Sequence, residues 1–177
     1  NIPARALEVI SAIVPVAPGV KALAASQDRL SEKRFIESAG VECAPYKPFE
    51  SADELEEALR NVGRPAVAKR RLMSYDGKGQ MAIRSPKDAK VAGEAFDGVP
   101  SVLEKMIPFD REVSVLVARS WQGDIAAYPV VENVHENHVL ARSIIPATLS
   151  PTSEARAKVT ATRIANALNY VGLLAVE

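Results

Sequence analysis

The chain has 177 residues, and its 22 lysines and arginines balance 22 aspartates and glutamates, so it lacks the basic field of a nucleic-acid or anionic-membrane binder. Apolar residues make up 47% and charged ones 25%, an ordinary globular composition, long enough for a real core in one large domain or two small lobes. No apolar run approaches the roughly 20 residues of a membrane span, no signal-peptide pattern is read, and the single cysteine, Cys43, excludes an internal disulfide and fits a reducing compartment, with the cytoplasm as default.

Taken in chain order, Ala4 to Ile13 predicts a short helix, stopped where Val14 precedes Pro15. A second helix is expected to start near Ser26 or Asp28 as N-cap and to end at Gly40. Val41 to Phe49 carries Pro45 and Pro48 and reads as extended chain outside the centre of a sheet. Ser51 and Glu54 have capping-box spacing, with Glu54 expected to reach back to the Ser51 amide. Leu55, Leu59 and Val62 then follow at helical spacing up to Gly63.

Residues 66 to 84 predict a strand, a glycine loop and a second strand, and Ser85-Pro86 opens another helix with proline at the tolerated first position. Ser101 to Ile107 predicts a strand running into a turn at Pro108-Phe109-Asp110. From Glu112 the pattern is β: Val113, Val115 and Val117 alternate with Ser114, Leu116 and Ala118, and Gln122-Gly123-Asp124 turns into a strand over Ile125 to Val131. Val139 to Ile145 is a further strand. A helix from Ser150-Pro151 carries an apolar stripe of Ala157, Ala161, Ile164, Ala165 and Leu168, and a last strand starts at Val171. With no βαβ alternation, the fold class is α+β.

The chemistry concentrates in Lys69-Arg-Arg-Leu-Met-Ser-Tyr-Asp-Gly-Lys-Gly-Gln80. Gly77 and Gly79 let the backbone turn and approach a ligand, successive amides make a concave anion site, and Lys78 adds charge. Read alone, the loop fits an ordinary polar turn as well as a phosphate clamp. It is neither a Walker loop nor a dinucleotide fingerprint, because it leads into a strand instead of a helix. Lys69, on the strand before it, fits either a solvated lysine or a phosphate ligand. Glu104 and Glu112 bracket the turn after the 101–107 strand, and each fits a surface charge or a carboxylate accepting from adenine or ribose. Glu177 closes an apolar run where a carboxylate invites a metal-ligand reading. His135-Glu136-Asn137-His138 falls one residue short of a zinc motif and sits between strands, so zinc is not expected.

Together these segments resemble the ATP-grasp family over nearly the whole chain. The resemblance runs through Gln27-Asp28-Arg29-Leu30-Ser31-Glu32-Lys33, Lys69-Arg70-Arg71, Tyr75 to Gln80, Glu104, Glu112-Val113-Ser114, Tyr128 to His135 and Tyr170 to Glu177. It implies a partial ATP-grasp fold, two α+β lobes holding ATP between them. It implies ATP contacts from Arg29 and Lys69; from a phosphate-covering loop of Ser74, Tyr75, Asp76, Gly77, Lys78, Gly79 and Gln80; from Glu104, Lys105, Met106 and Ile107 around adenine; and from Glu112 at the ribose and His135. Glu177 matches the first magnesium carboxylate.

The implied cofactors are ATP and Mg2+. The implied reaction is an ATP- and bicarbonate-dependent carboxylation of aminoimidazole ribonucleotide through carboxyphosphate, a step of purine biosynthesis, in a cytoplasmic enzyme that is a homodimer at full length and needs no nucleic acid or membrane. Residues 1–26 are expected to be the tail of a preceding doubly wound domain with its linker. Residues 27–177 form the ATP-grasp domain, with a small lobe over about 64–106 and an incomplete large lobe over about 110–177. The chain is thus expected to be a piece of a longer protein, truncated at both ends, with acceptor-site residues outside it and no carboxylating activity by itself. Two rival readings stay open: another ATP-grasp ligase, biotin-carboxylase-like or formate-dependent, and a non-catalytic module that binds ATP.

Overall fold

A computed structural model describes residues 2–72, 79–137 and 139–177. Its elements in chain order are α1 (Ala4–Ser11), α2 (Val20–Gln27), α3 (Arg29–Ser38), β1 (Tyr46–Phe49), α4 (Ala52–Val62), β2 (Ala66–Arg70) and β3 (Gln80–Ile83). They continue with α5 (Pro86–Phe96), β4 (Ser101–Lys105), β5 (Glu112–Arg119), β6 (Ile125–Ala127), β7 (Val131–Glu136), β8 (Val139–Ile144), α6 (Pro151–Ala167) and β9 (Gly172–Val176). Two compact units divide the chain. One comprises Gln27–Glu37 and Glu42–Pro108, the other Asn1–Ser26, Ser38–Val41 and Phe109–Glu177.

The first unit is built on a four-stranded antiparallel sheet of order β1-β4-β2-β3. Side chains alternate across each strand, and the sequence uses that alternation to give the sheet two different faces. Ala66, Ala68, Ile83 and Leu103 turn to one face and are buried with Leu55, Ala58 and Val62 of α4 and Ala92 and Phe96 of α5. The Phe49 and Phe96 rings meet there with centroids 6.0 Å apart, tilted by 53°. A Cβ on Gly93 would lie 3.3 Å from the Cβ of Ala52, so the missing side chain lets α5 approach the first turn of α4.

Capping residues set the helix ends. The Ser51 hydroxyl accepts from the Glu54 amide, but the Glu54 carboxylate takes the Glu50 amide at 2.7 Å instead of the expected Ser51 amide. The full reciprocal box forms on α5, between Ser85 and Asp88. Asp28, not Ser26, caps α3: its Oδ1 accepts from the Leu30 and Ser31 amides at 2.8 and 3.3 Å. The segment before it is a helix of its own, α2, which the sequence pattern did not disclose because only Ala22 of that helix is buried.

The second unit centres on β5. Strand β9 pairs with it over Val115–Arg119, β6 and β7 take its two ends, and β8 adds to β7 with a register shift between Val134 and His135. The single strand expected over Ile125 to Val131 is interrupted. Pro129 has no N–H to give to a ladder, and the intervening backbone bonds instead through the Tyr128 amide to Leu116 and the Val130 carbonyl to Ala147. Val115 and Val117 pack on Ala161 and Ala165 of α6 with Val130, and Val113, Leu174 and Val176 join them. Lys21 Nζ donates to the Ala167 carbonyl at 2.8 Å, and Arg163 to the Gly40 carbonyl at 2.8 Å, tying the α1–α2 segment and the 38–41 turn to α6.

Leu103 is fully buried at the middle of the four-stranded sheet. Leu103→Ala is expected to destabilise this unit by about 2–5 kcal/mol, the range for a large-to-small core deletion, measured by chemical denaturation followed by circular dichroism.

Candidate functional site

The face of the four-stranded sheet away from α4 and α5 is polar where the other is apolar. Val67 pairs with Glu104, Lys69 with Val102 and Tyr46 with Glu104, so these residues share it. Glu104 is a nearly buried carboxylate, 12% exposed, and one of its oxygens holds two cations: Lys69 Nζ at 3.0 Å and Lys33 Nζ at 3.3 Å. Lys33 comes from α3, and its ammonium also stands 5.3 Å from the centroid of the Tyr46 ring. Arg29, Glu32 and Lys33 have i, i+3, i+4 spacing and therefore lie on one side of α3. Burial pushes the Glu32 carboxyl above its ordinary value, against the pull of Arg29 and Lys33. Burial, and then the hydrogen bond given to Glu37 at 2.7 Å, push the Tyr46 phenol up to about 12.

The glycine loop leaves β2 and returns to β3 next to this cluster. Its two ends are fixed. The Arg70 amide donates to the Gly79 carbonyl at 2.9 Å, with Gly79 in the left-handed region at φ +72°, where a side chain would be strained. Arg71 is held to Asp28 through Nε at 3.1 Å to both carboxylate oxygens and through a further bond from Nη2, while its carbonyl accepts from the Arg29 amide at 3.1 Å. One aspartate thus caps α3 and anchors the start of the loop. Gln80 opens β3 opposite Lys69. Ser74, Tyr75, Asp76, Gly77 and Lys78 lie outside the described residues.

Beyond Glu104 the strand ends at Lys105, two residues earlier than the sequence pattern suggests. The Lys105 and Met106 amides donate to the Pro45 and Pro65 carbonyls, at 2.8 and 3.1 Å. The Lys105 ammonium is taken by the Arg64 carbonyl at 2.9 Å, so of this residue the backbone is what remains for a ligand. Ile107 follows with its side chain exposed.

In the five-stranded unit, the face opposite α6 carries the second set of predicted residues. Glu112 pairs with Asn133, and His135 lies two residues on; the Glu112 carboxylate meets His135 Nδ1 at 2.9 Å. Beside them a polar ladder crosses three strands, buried at Asn133 and Ser114 and exposed at Ser143: Asn133 Nδ2 donates to Ser114 Oγ at 2.9 Å, and Ser143 Oγ donates to Asn133 Oδ1 at 3.3 Å. Val176 pairs with Val115 and packs toward α6, so alternation sends the next residue, Glu177, to this same polar face.

Lys69, Gln80 and Glu104 in one unit, and Glu112, His135 and Glu177 in the other, thus share the sheet face not used for the core, while Arg29 comes from α3 and Lys105 stands opposite Ala66 on the core-facing side. Glu32 and Lys33 stand in the Gln27–Lys33 run that carries the resemblance but receive no role from it, although their spacing from Arg29 carries the signal. Asn133, Ser114 and Ser143 were missed because their contact depends on register. A groove of about 1000 Å³ between α4 and α5 lies on the helical side of its sheet, away from these clusters, and its Glu56, Arg60, Lys90 and Glu94 mix charges. Among the described residues no group of three or more histidines, cysteines or carboxylates could hold a metal ion, and no helix is long and apolar enough to cross a membrane.

The family model described as ATP-grasp domain matches residues 34–177. The N5-carboxyaminoimidazole ribonucleotide synthase of Brucella melitensis is 36% identical over 100% of this chain and 49% of its own length. An ADP complex of an N5-carboxyaminoimidazole ribonucleotide synthetase superposes with a TM-score of 0.95 at 37% identity, over 99% of this chain and 47% of that one. The synthetase from Thermus thermophilus gives 0.90 at 40% identity, with the same coverage. The chain thus spans about half the length of the relatives it matches.

The Asp28–Arg71 pair gives the loop anchor an acid dependence. Burial raises the Asp28 carboxyl, but the Arg71 and backbone hydrogen bonds outweigh it and hold the group below its ordinary 3.8. A depressed carboxylate stabilises above its unfolded value, and that contribution is lost as pH falls through the lower folded value. Asp28→Asn keeps a competent cap, so its melting temperature is expected to fall below the wild type's at pH 7, the gap closing below about pH 3.8. Asp28→Ala adds the loss of the cap, about 1 kcal/mol. Thermal unfolding between pH 7 and 3 measures both.

Proposed function

Because the chain belongs to the ATP-grasp family, we propose that it is the nucleotide-binding part of an N5-carboxyaminoimidazole ribonucleotide synthetase of purine biosynthesis. The observation that carries this reading is the 36% identity with such a synthase across the whole chain, supported by likeness to an ADP-bound relative. In the proposed reaction a bicarbonate oxygen attacks the γ-phosphorus of ATP, and ADP leaves. The exocyclic amine of 5-aminoimidazole ribonucleotide then attacks the carboxyl carbon of carboxyphosphate. The bond from that carbon to the phosphate oxygen breaks, inorganic phosphate departs, and the amine loses a proton.

The residues of this chain would serve the nucleotide. Arg29 and Lys69 would meet phosphate oxygens, stabilising charge on the transferred group. Residues 74–80 would cover the phosphates and exclude water, which hydrolyses acyl phosphates. Glu104 and the backbone of Lys105, Met106 and Ile107 would hold adenine. With the Lys105 and Met106 amides already donated, the Ile107 amide is the donor this reading assigns to the ring. Glu112 would accept from ribose hydroxyls, with His135 fixing its carboxylate through the 2.9 Å contact.

Magnesium fits this reading through Glu177, an exposed hard-oxygen donor of the kind such an ion takes one or two of, completing its shell with phosphate oxygens and water. Bound there it would neutralise phosphate charge. The domain reading keeps residues 1–26 as the tail of a preceding domain and 27–177 as ATP-grasp, within a cytoplasmic homodimer at full length. The 177-residue piece alone is expected to release no phosphate in response to the acceptor.

Phosphate release by the full-length protein tests the assignment. It is expected to respond to 5-aminoimidazole ribonucleotide with bicarbonate. Release triggered instead by biotin, or by glycinamide ribonucleotide with formate, would move the protein to another ATP-grasp ligase, and ATP binding without turnover would make it a sensor. Lys69→Ala in that protein is expected to lower kcat/KM for ATP by on the order of 10²-fold, the scale for removing one positioned donor. An unchanged value would remove Lys69 from the site.

A further inference from the structure

Glu104 is ion-paired twice through a single oxygen, by Lys69 from the sheet at 3.0 Å and by Lys33 from α3 at 3.3 Å. Only one of these two lysines has a role in nucleotide binding as read above. If Lys69 turns to a phosphate, it weakens its bond to a carboxylate that is only 12% exposed. An ion that loses its partner in such surroundings is strongly destabilising. Lys33 is placed to prevent this. Its side chain is 14% exposed, it already touches the same oxygen, and the Tyr46 ring steadies its ammonium independently of Glu104.

We propose that Lys33 is a positioning residue for nucleotide binding: as the second cation on Glu104, it lets Lys69 pass from carboxylate to phosphate without leaving that carboxylate unpaired. The ionisable groups around this carboxylate include Glu32 on α3, on which Arg29, Lys33, Glu104 and Lys69 all act, the Cys43 thiol, on which Lys33, Glu37, Glu104 and Glu32 act, and the Tyr46 phenol on β1. The inference rests on the nucleotide reading above and adds to it a residue that never touches the ligand.

The test is a double-mutant cycle on the full-length protein, with ADP affinity measured by calorimetry. Lys33→Met is expected to weaken ADP binding roughly tenfold and to raise KM for ATP with little change in kcat. Lys33→Arg should restore both. In the Glu104→Gln background, Lys33→Met should have no further effect on affinity, since the carboxylate it serves is gone. An ADP affinity unchanged by Lys33→Met, or an equal loss with and without Glu104, overturns the proposal. If Lys33→Met proves unstable, Lys33→Gln carries the same cycle. A wild-type protein that fails to bind ADP would instead refute the nucleotide reading, and this proposal with it.

Discussion

Alternation of side chains across antiparallel strands is the constraint on which both units depend. Two strands that place Ala66, Ala68 and Leu103 against two helices have no choice but to place Lys69 and Glu104 on the other side. The same holds for β5, where Val113, Val115 and Val117 face α6 and leave Glu112 and Ser114 opposite. Core and site are thus written by one period-two pattern, read at odd and even positions. A one-residue slip in register would exchange them.

Most local structure was legible because its causes are local. The caps at Ser51, Ser85 and Ser150 each sit three residues from the amide they accept. The hairpin over 66–84, the alternation from Val113 and the stripe of α6 all declare their period within a short window. Where a local rule competes with a neighbour, the reading misses by one or two residues: Glu54 meets the Glu50 amide, and β4 stops at Lys105, two residues short of Ile107, once the Met106 amide finds Pro65. Helix α2 escaped notice because it buries little and so has no stripe to show.

The site was legible in its residue types and not in its pairings. Lys69 and Glu104 could be suspected separately, one before a glycine loop and the other beside a turn. That they share an ion pair follows from the order β1-β4-β2-β3, which sets strands distant in sequence side by side. Lys33 reaches the same carboxylate only because α3 lies over that face. The Glu112–His135 contact likewise needs the β5–β7 register. Types are local and partners are topological, so the residue types suggest a candidate site while the fold decides which charges neutralise one another.

The two posts of the glycine loop have a consequence for how such a protein can change. Arg71 is pinned by the residue that starts α3, and the carbonyl of Gly79 is pinned by the Arg70 amide, so the stretch between them begins and ends at fixed points whatever its own sequence. The first turn of α3 and the two strands therefore answer together for where that stretch starts and where it stops: a change at Asp28 reaches the entry of the loop as surely as one on β2.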